Sequence, residues 1–318
     1  MILTPESAPL SRDIADYPEG IIIPIDKPYR WTSADVIRKV KFAAIRHFGK
    51  KNLKVGHAGT LDPLATGVLL VCIGKATKMA EELQKHDKEY VAGITFGATT
   101  PSYDLEKEID RFFPHEHITA SAVEKALPAF IGEQDQIAPL FSAKSVDGVR
   151  AYELARKLIK ADGDASEIDE AAKELIRVSR INIMELELVE YQGAGVCGTE
   201  NRATPLATGG GAHEVGGVVF CTTHSTPQNN TSNIDDKVSK ASGRINVTDN
   251  SALGLPRAVV RMACSKGTYV RAFARDLGEA LGSGAHLDSL QRSRSGIFRV
   301  ENALTVDGAI AALSMRST

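Results

Sequence analysis

Apolar and polar positions along the chain repeat with two different periods, and the switches between them outline the elements. "GIIIPIDKP" (20–28) is a continuous apolar run ended by Pro28, the pattern of a short buried strand. In "TSADVIRKVKFAAIRHFG", Val36, Val40, Ala44 and Phe48 recur at helical spacing. Thr32 and Asp35 have capping-box spacing and Gly49 is a stop. "GVLLVCIG" (67–74) predicts a second buried strand and "KATKMAEELQKH" a helix. "KEYVAGITFGA" (88–98) alternates, with Tyr90, Ala92, Ile94 and Phe96 on one face. Helices are predicted over 119–132 and 150–160, and a long strand with one phase break, a bulge, over 176–191. "RAVVRMAC" (257–264) is a strand and "TYVRAFARDLGEALG" (268–282) a helix.

Strands and helices alternate irregularly, and several strands have the one-sided pattern of an antiparallel sheet. The fold class expected is therefore α+β rather than doubly wound. The core spans 20–300, with 1–19 and 301–318 as short tails. Residues 192–254 stand apart: rich in Gly, Thr, Ser and Asn, they hold too little apolar surface to offset their ordering entropy. They read as a low-complexity, largely mobile insertion between two core strands.

Composition narrows the class. The chain has 318 residues, 43% hydrophobic and 25% charged, which fits one large or two modest globular domains. No apolar run is long enough for a membrane helix, and the N-terminus lacks the pattern of a signal peptide. Cys72, Cys197, Cys221 and Cys264 are far apart with no CxxC pair, so a reducing cytoplasm is expected and a disulfide framework is not. Cys197, His213, Cys221 and His224 match no compact zinc finger, and no metal is expected. Net charge is −2, yet Lys27, Arg30, Arg38, Lys39, Lys41, Arg46, Lys50, Lys51 and Lys54 crowd one stretch beside only Asp26 and Asp35. A second basic region runs from Arg257 to Arg299. Both a polyanion-binding surface and a solvated helix face fit such clusters.

Chemistry concentrates in "KVGHAGTLDPLATGVLLVCIGKATK" (54–78), where His57 and Asp62 share a glycine-broken turn before an apolar run. A phosphate loop fails there: Leu69 replaces the first glycine of a Walker motif, and Ala76 follows Lys75 where Ser or Thr is needed. A purely structural turn explains Gly56, Gly59 and Pro63 but not the company of His57, Thr60 and Asp62. An active site built around one fixed carboxylate explains both.

"GHAGTLDPLATGVL" resembles the catalytic motif of the TruB family of pseudouridine synthases. Four more stretches resemble that family's segments in order. "DKPYRWTS" (26–33) is similar to its lysine-proline motif, "KEYVAGITFGATTPSYD" (88–104) to its tyrosine motif and "PLFSAKSVDGVRAYELAR" (139–156) to its RNA-gripping insertion. "CSKGTYVRAFARDLGEALGSGAHLDSLQRSRSG" (264–296) is similar to its tyrosine-arginine motif and a following leucine-arginine turn. The resemblance implies a mixed, mostly antiparallel pseudouridine synthase sheet with flanking helices, and isomerisation of uridine in the T loop of transfer RNA. It departs from the family at Arg30, where glycine is common, and at the 192–254 insertion. The roughly twenty residues after Phe298 are too few for the C-terminal RNA-binding domain that many relatives carry.

Forming pseudouridine breaks the ribose–N1 bond, rotates the uracil and rejoins it through C5, so a carboxylate, an extruded base and a group near the C5 proton are needed. No redox change or cofactor is required. The resemblance assigns Asp62 as nucleophile and Arg271 as its ion-pair partner. It leaves open whether Asp62 attacks the ribose carbon or assists elimination. It further implies that His57 seats the extruded nucleotide, Tyr90 stacks on the uracil and lies near its C5 proton, and Tyr269 and Leu290 line the base pocket. Lys27, Lys50, Lys51, Lys54 and Arg292 are candidates for the RNA backbone. The expected partner is the T-arm stem-loop of transfer RNA, with no membrane and no obligatory protein partner. The alternative is an RNA-binding chaperone that folds transfer RNA with its catalysis subordinate or lost.

Overall fold

Alternation within the first apolar run decides how the layers form. In the computed structural model, which describes residues 1–139, 145–146, 149–150, 178–195 and 245–314, that run is strand β1 (Ile21–Lys27). Ile21, Ile23 and Ile25 enter one core cluster while Ile22 enters another on the opposite face. With both faces buried, every position must be apolar, which is why the run is continuous. Helix α1 (Ser33–Phe48) covers the first face with Val36, Val40 and Ala44. Its capping box is complete between Thr32 and Asp35, and Gly49 ends it at φ 63°.

The chain continues through β2 (Val55–Ala58), β3 (Ala65–Ile73), α2 (Ala80–Lys85), β4 (Lys88–Phe96), β5 (Ala98–Thr99), β6 (Arg111–Phe112), α3 (Ala120–Ala126) and β7 (Gly132–Ile137). It then forms β8 (Ser145–Val146), β9 (Val149–Arg150), β10 (Val178–Gln192), β11 (Arg257–Cys264), α4 (Val270–Ala280), β12 (Ala285–Ser295), β13 (Phe298–Arg299) and α5 (Val306–Ala312). The main sheet runs β1-β3-β12-β4-β11-β10-β7, with β2 paired to β3 and β13 to β12. Every pairing in it is antiparallel except β3 with β12. This is the expected α+β, mostly antiparallel fold.

Two core clusters share one sheet face. Helices α1 and α5 pack over β1 and β3, while α3 and α4 pack over β4, β11 and β10. Tyr90 of β4 and Leu290 of β12 touch both clusters, so the helix groups flank a cleft above the centre of the sheet.

At that centre β12 pairs with β3 only from Leu290–Ala65 to Arg292–Gly67, after which β2 takes over from Leu70. Gly67 sits at this junction with φ 97°, and a Cβ there would lie 2.2 Å from the Arg292 carbonyl oxygen. Gly67→Ala combines left-handed strain with a backbone clash, so a loss of about 3 kcal/mol is expected in denaturant unfolding. A midpoint unchanged from the parent would show that β3 and β12 separate without cost.

Several expectations are revised. "KATKMAEELQKH" is a 3-10 turn over Gly74–Met79 before the short α2, tightened by Thr77 Oγ1 donating to the Gly74 carbonyl at 2.8 Å. The helix expected over 119–132 ends at Ala126 and tightens into a 3-10 turn, Leu127–Phe130, with Pro128 at its start. Strand β10 carries two register shifts against β11 rather than one. The leucine-arginine turn is instead the central strand β12. It reads as polar because its buried His286 and Arg292 and half-buried Asp288 are each partnered: by the Ala98 carbonyl, by the Val68 carbonyl and by Arg257. Neither end is a loose tail: Leu3 and Leu10 are buried against β1, and Leu304, Ala309 and Leu313 join the same cluster. The predicted helix at 150–160, most of 139–156, and Cys197, His213, Cys221 and His224 lie outside the described residues.

Candidate active site

Residues 59–64 link β2 to β3 at the floor of the cleft, and each part of this turn is held by a different side chain. Arg292 donates through Nη2 to the Gly59 carbonyl at 3.1 Å and through Nε to the Val68 carbonyl at 2.7 Å. Ser33, in the first turn of α1, accepts from the Leu61 N–H at 3.0 Å and donates to the Leu61 carbonyl at 3.1 Å. Lys27 Nζ donates to the carbonyls of Pro63 at 3.1 Å, Trp31 at 2.6 Å and Pro28 at 2.9 Å. With its neighbours pinned, Asp62 has little backbone freedom.

Lys27 and Arg292 therefore do not serve as RNA-backbone contacts. Their residues are 0% and 1% exposed and their donors are engaged by carbonyls, so no phosphate reaches them. Burial pulls the Lys27 pKa down to about 7 against the opposing charges of Asp62 and Asp26. By contrast, Lys50, Lys51 and Lys54 are exposed on the loop before β2.

The Asp62 side chain is 42% exposed while its partner Arg271 is 5% exposed. Arg271 Nε donates to Asp62 Oδ2 at 2.9 Å, and Nη1 donates to the Ser102 carbonyl at 3.0 Å. A second carboxylate, Asp104 Oδ2, stands 3.8 Å from Nε and is 8% exposed. Asp104 accepts from Ser102 Oγ at 2.6 Å and from the Glu106 N–H at 3.0 Å. Burial works against the Arg271 cation, but Asp62, Asp104 and Glu106 outweigh it and its pKa rises. Burial raises the Asp104 pKa despite Arg271, and burial together with Asp104 raises Glu106 to about 7. The guanidinium thus fixes an accessible carboxylate from behind and is fixed in turn by a buried one. Asp104 closes the "KEYVAGITFGATTPSYD" stretch and Ser33 closes "DKPYRWTS". Neither was assigned a role from sequence, because the distances that bring them to Arg271 and Leu61 cross the fold.

The cleft is walled by Asp62, Leu64, Asp104, Leu105, Arg271 and Leu290. Leu290 arrives through the pairing of β12 with Ala65. Tyr90 lies in register with Arg292, and burial raises its pKa. His57 lies not in a turn but within β2 opposite Val71, with its Nδ1 buried and unpartnered. Burial, then the Arg292 charge, lowers its pKa, which keeps the imidazole neutral. Tyr269 caps α4, its backbone N–H donating to Gln136 Oε1 at 2.8 Å and its carbonyl accepting from Gln136 Nε2 at 3.2 Å. Arg30 has φ 62°, a left-handed conformation that glycine adopts without strain, and its Nη2 donates to the Ile245 carbonyl at 3.0 Å. Among the described residues no helix is long and apolar enough to cross a membrane.

Residues 46–195 match the TruB family pseudouridylate synthase (N terminal domain). The chain is 42% identical over 292 residues to tRNA pseudouridine synthase B of Phocaeicola vulgatus, covering 92% of each. It is 34% identical to the Thermus thermophilus tRNA pseudouridine synthase B over 283 residues, covering 89% of this chain and 75% of that one. In fold it is similar to a chain in the crystal structure of a Cbf5-Nop10-Gar1 complex. That likeness has TM-score 0.51 and 22% identity, over 96% of this chain and 58% of the other.

Proposed function

Because this chain belongs to the TruB family of pseudouridylate synthases, we propose that it isomerises uridine to pseudouridine in the T loop of transfer RNA, with Asp62 as nucleophile. One observation carries the reading: a solvent-reachable carboxylate is held at 2.9 Å by a buried guanidinium on a turn whose backbone is pinned on both sides. Such a carboxylate stays aimed while the glycosidic bond breaks. The extruded uridine enters the cleft beside Leu290 and Tyr269. It stacks on Tyr90, which is positioned near the C5 proton, and His57 seats the flipped nucleotide. Base flipping costs a few kcal/mol and stacking returns about 1–3 per base, so an aromatic platform suits the step. The deciding assay is conversion of the T-loop uridine in a minimal stem-loop by the purified protein alone. Binding without conversion would favour a chaperone instead.

Backbone contacts fall to Lys50, Lys51 and Lys54 in this reading. Removing one lysine from its phosphate should flatten the slope of log affinity against log salt by roughly 0.7 to 0.9. Replacing all three lysines with alanine is therefore expected to flatten it by about two to three units for the T-arm stem-loop. Measured with Asp62→Asn to prevent turnover, an unchanged slope would reduce this run to a solvated surface.

A further inference from the structure

Phe42 is 72% exposed in the middle of α1, on the side opposite Val36, Val40 and Ala44. A large ring there adds nothing to the core and is a poorer helix former than Lys, Arg, Glu or Gln. Its neighbours give it another use. Arg38 and Arg46, four residues to either side, share its row along the helix, where such neighbours stand about 5–6 Å apart. The Arg38 side chain is 66% exposed and pairs with Asp35 through Nη1 at 2.7 Å, which leaves its other N–H groups to reach an anion. Arg46 is exposed as well. Lys41, next to Phe42 in the chain, lines a recess together with Lys51 and Lys54, which adds further cations to this end of the helix. An aromatic face set among cations is the arrangement that binds unpaired nucleotides, the ring stacking on a base while the cations take its phosphates.

Place supports the same occupant. Helix α1 lies on the cleft side of the sheet, and its first residue, Ser33, is hydrogen-bonded to Leu61 of the turn that carries Asp62. At 1.5 Å per residue Phe42 is about 14 Å along the helix from Ser33, within the span of nucleotides neighbouring the target. We propose that Phe42, flanked by Arg38 and Arg46, is a stacking platform for an unpaired base of the RNA outside the base pocket. This rests on the T-arm reading above and adds a second point of base contact to it.

The test uses the full chain carrying Asp62→Asn and a T-arm stem-loop, with affinity read by fluorescence anisotropy. Phe42→Leu, apolar but without a π-face, is expected to weaken binding roughly five- to a hundredfold. Phe42→Trp is expected to retain it, and the salt slope should not change with Leu because no cation is removed. An unchanged affinity with Leu, or equal weakening with Leu and Trp, would overturn the platform. So would a dimer in sedimentation that Phe42→Leu dissolves, since the occupant would then be a second copy. If the Asp62→Asn protein with Phe42 intact fails to bind the stem-loop, the T-arm reading falls and the platform with it. Binding that survives Phe42→Leu removes the platform alone.

Discussion

Asp62→Asn is expected to bind the T-arm stem-loop as the parent does and to isomerise it more than about 10⁴-fold more slowly, as for removal of other enzymatic nucleophiles. The amide matches the carboxylate in shape, and its oxygen can still accept from Arg271 Nε where Asp62 Oδ2 does now. The turn is held by Ser33, Lys27 and Arg292 through its backbone, so its position does not depend on the Asp62 charge. Stability should change little: with the Asp62 side chain 42% exposed, solvent screens the pair, and its removal costs about 1 kcal/mol or less. What disappears is nucleophilicity. Tritium release from C5-labelled RNA under single-turnover conditions reads the rate, and anisotropy the affinity. A variant that turns over within tenfold of the parent would remove Asp62 from the chemistry, and one that fails to bind would make it a recognition residue.

How much of this was legible in the sequence depended on whether the information was local. The helix α1 was readable to its caps because Thr32, Asp35 and Gly49 act within one turn of its ends. Strand β1 was readable because both its faces are buried, which leaves a continuous apolar run. Strand β12 was not, since His286, Asp288 and Arg292 look like surface residues until Ala98, Arg257 and Val68 are brought beside them from distant parts of the chain. The same cause misplaced Lys27 and Arg292. A basic residue near a candidate site suggests a phosphate, and only the fold shows that backbone carbonyls occupy their donors. The pairing of Asp62 with Arg271 came from family resemblance, because residues 209 positions apart carry no local sign of contact. Asp104 had no such sign either, and its role emerged only from its distance to Arg271.

Arg271→Ala is expected to damage stability and catalysis together, and the two effects have different origins. Removing one partner of a buried pair costs about 3–5 kcal/mol because the other charge is left unpaired. Here the costly orphan is Asp104, 8% exposed, rather than Asp62, which water can reach. The Ser102 carbonyl loses its donor as well. Unfolding in denaturant should therefore show a loss of about 3 kcal/mol, and a double change with Asp104→Asn should recover part of it. Arg271→Lys separates the second effect. A lysine keeps a positive charge among Asp62, Asp104 and Glu106, but it lacks the planar fork that serves the Asp62 carboxylate and the Ser102 carbonyl at once. Most of the stability should return. The carboxylate would still be poorly aimed, and a misplacement near 1 Å costs about 10²-fold in rate. The expected pattern is a lysine variant that is folded, binds RNA, and is slowed about a hundredfold in single turnover. Parent-like turnover by Arg271→Lys would show that charge alone suffices. Parent-like stability of Arg271→Ala would show that Asp104 is neutral in the folded protein and that the buried side of the pair is not ionic.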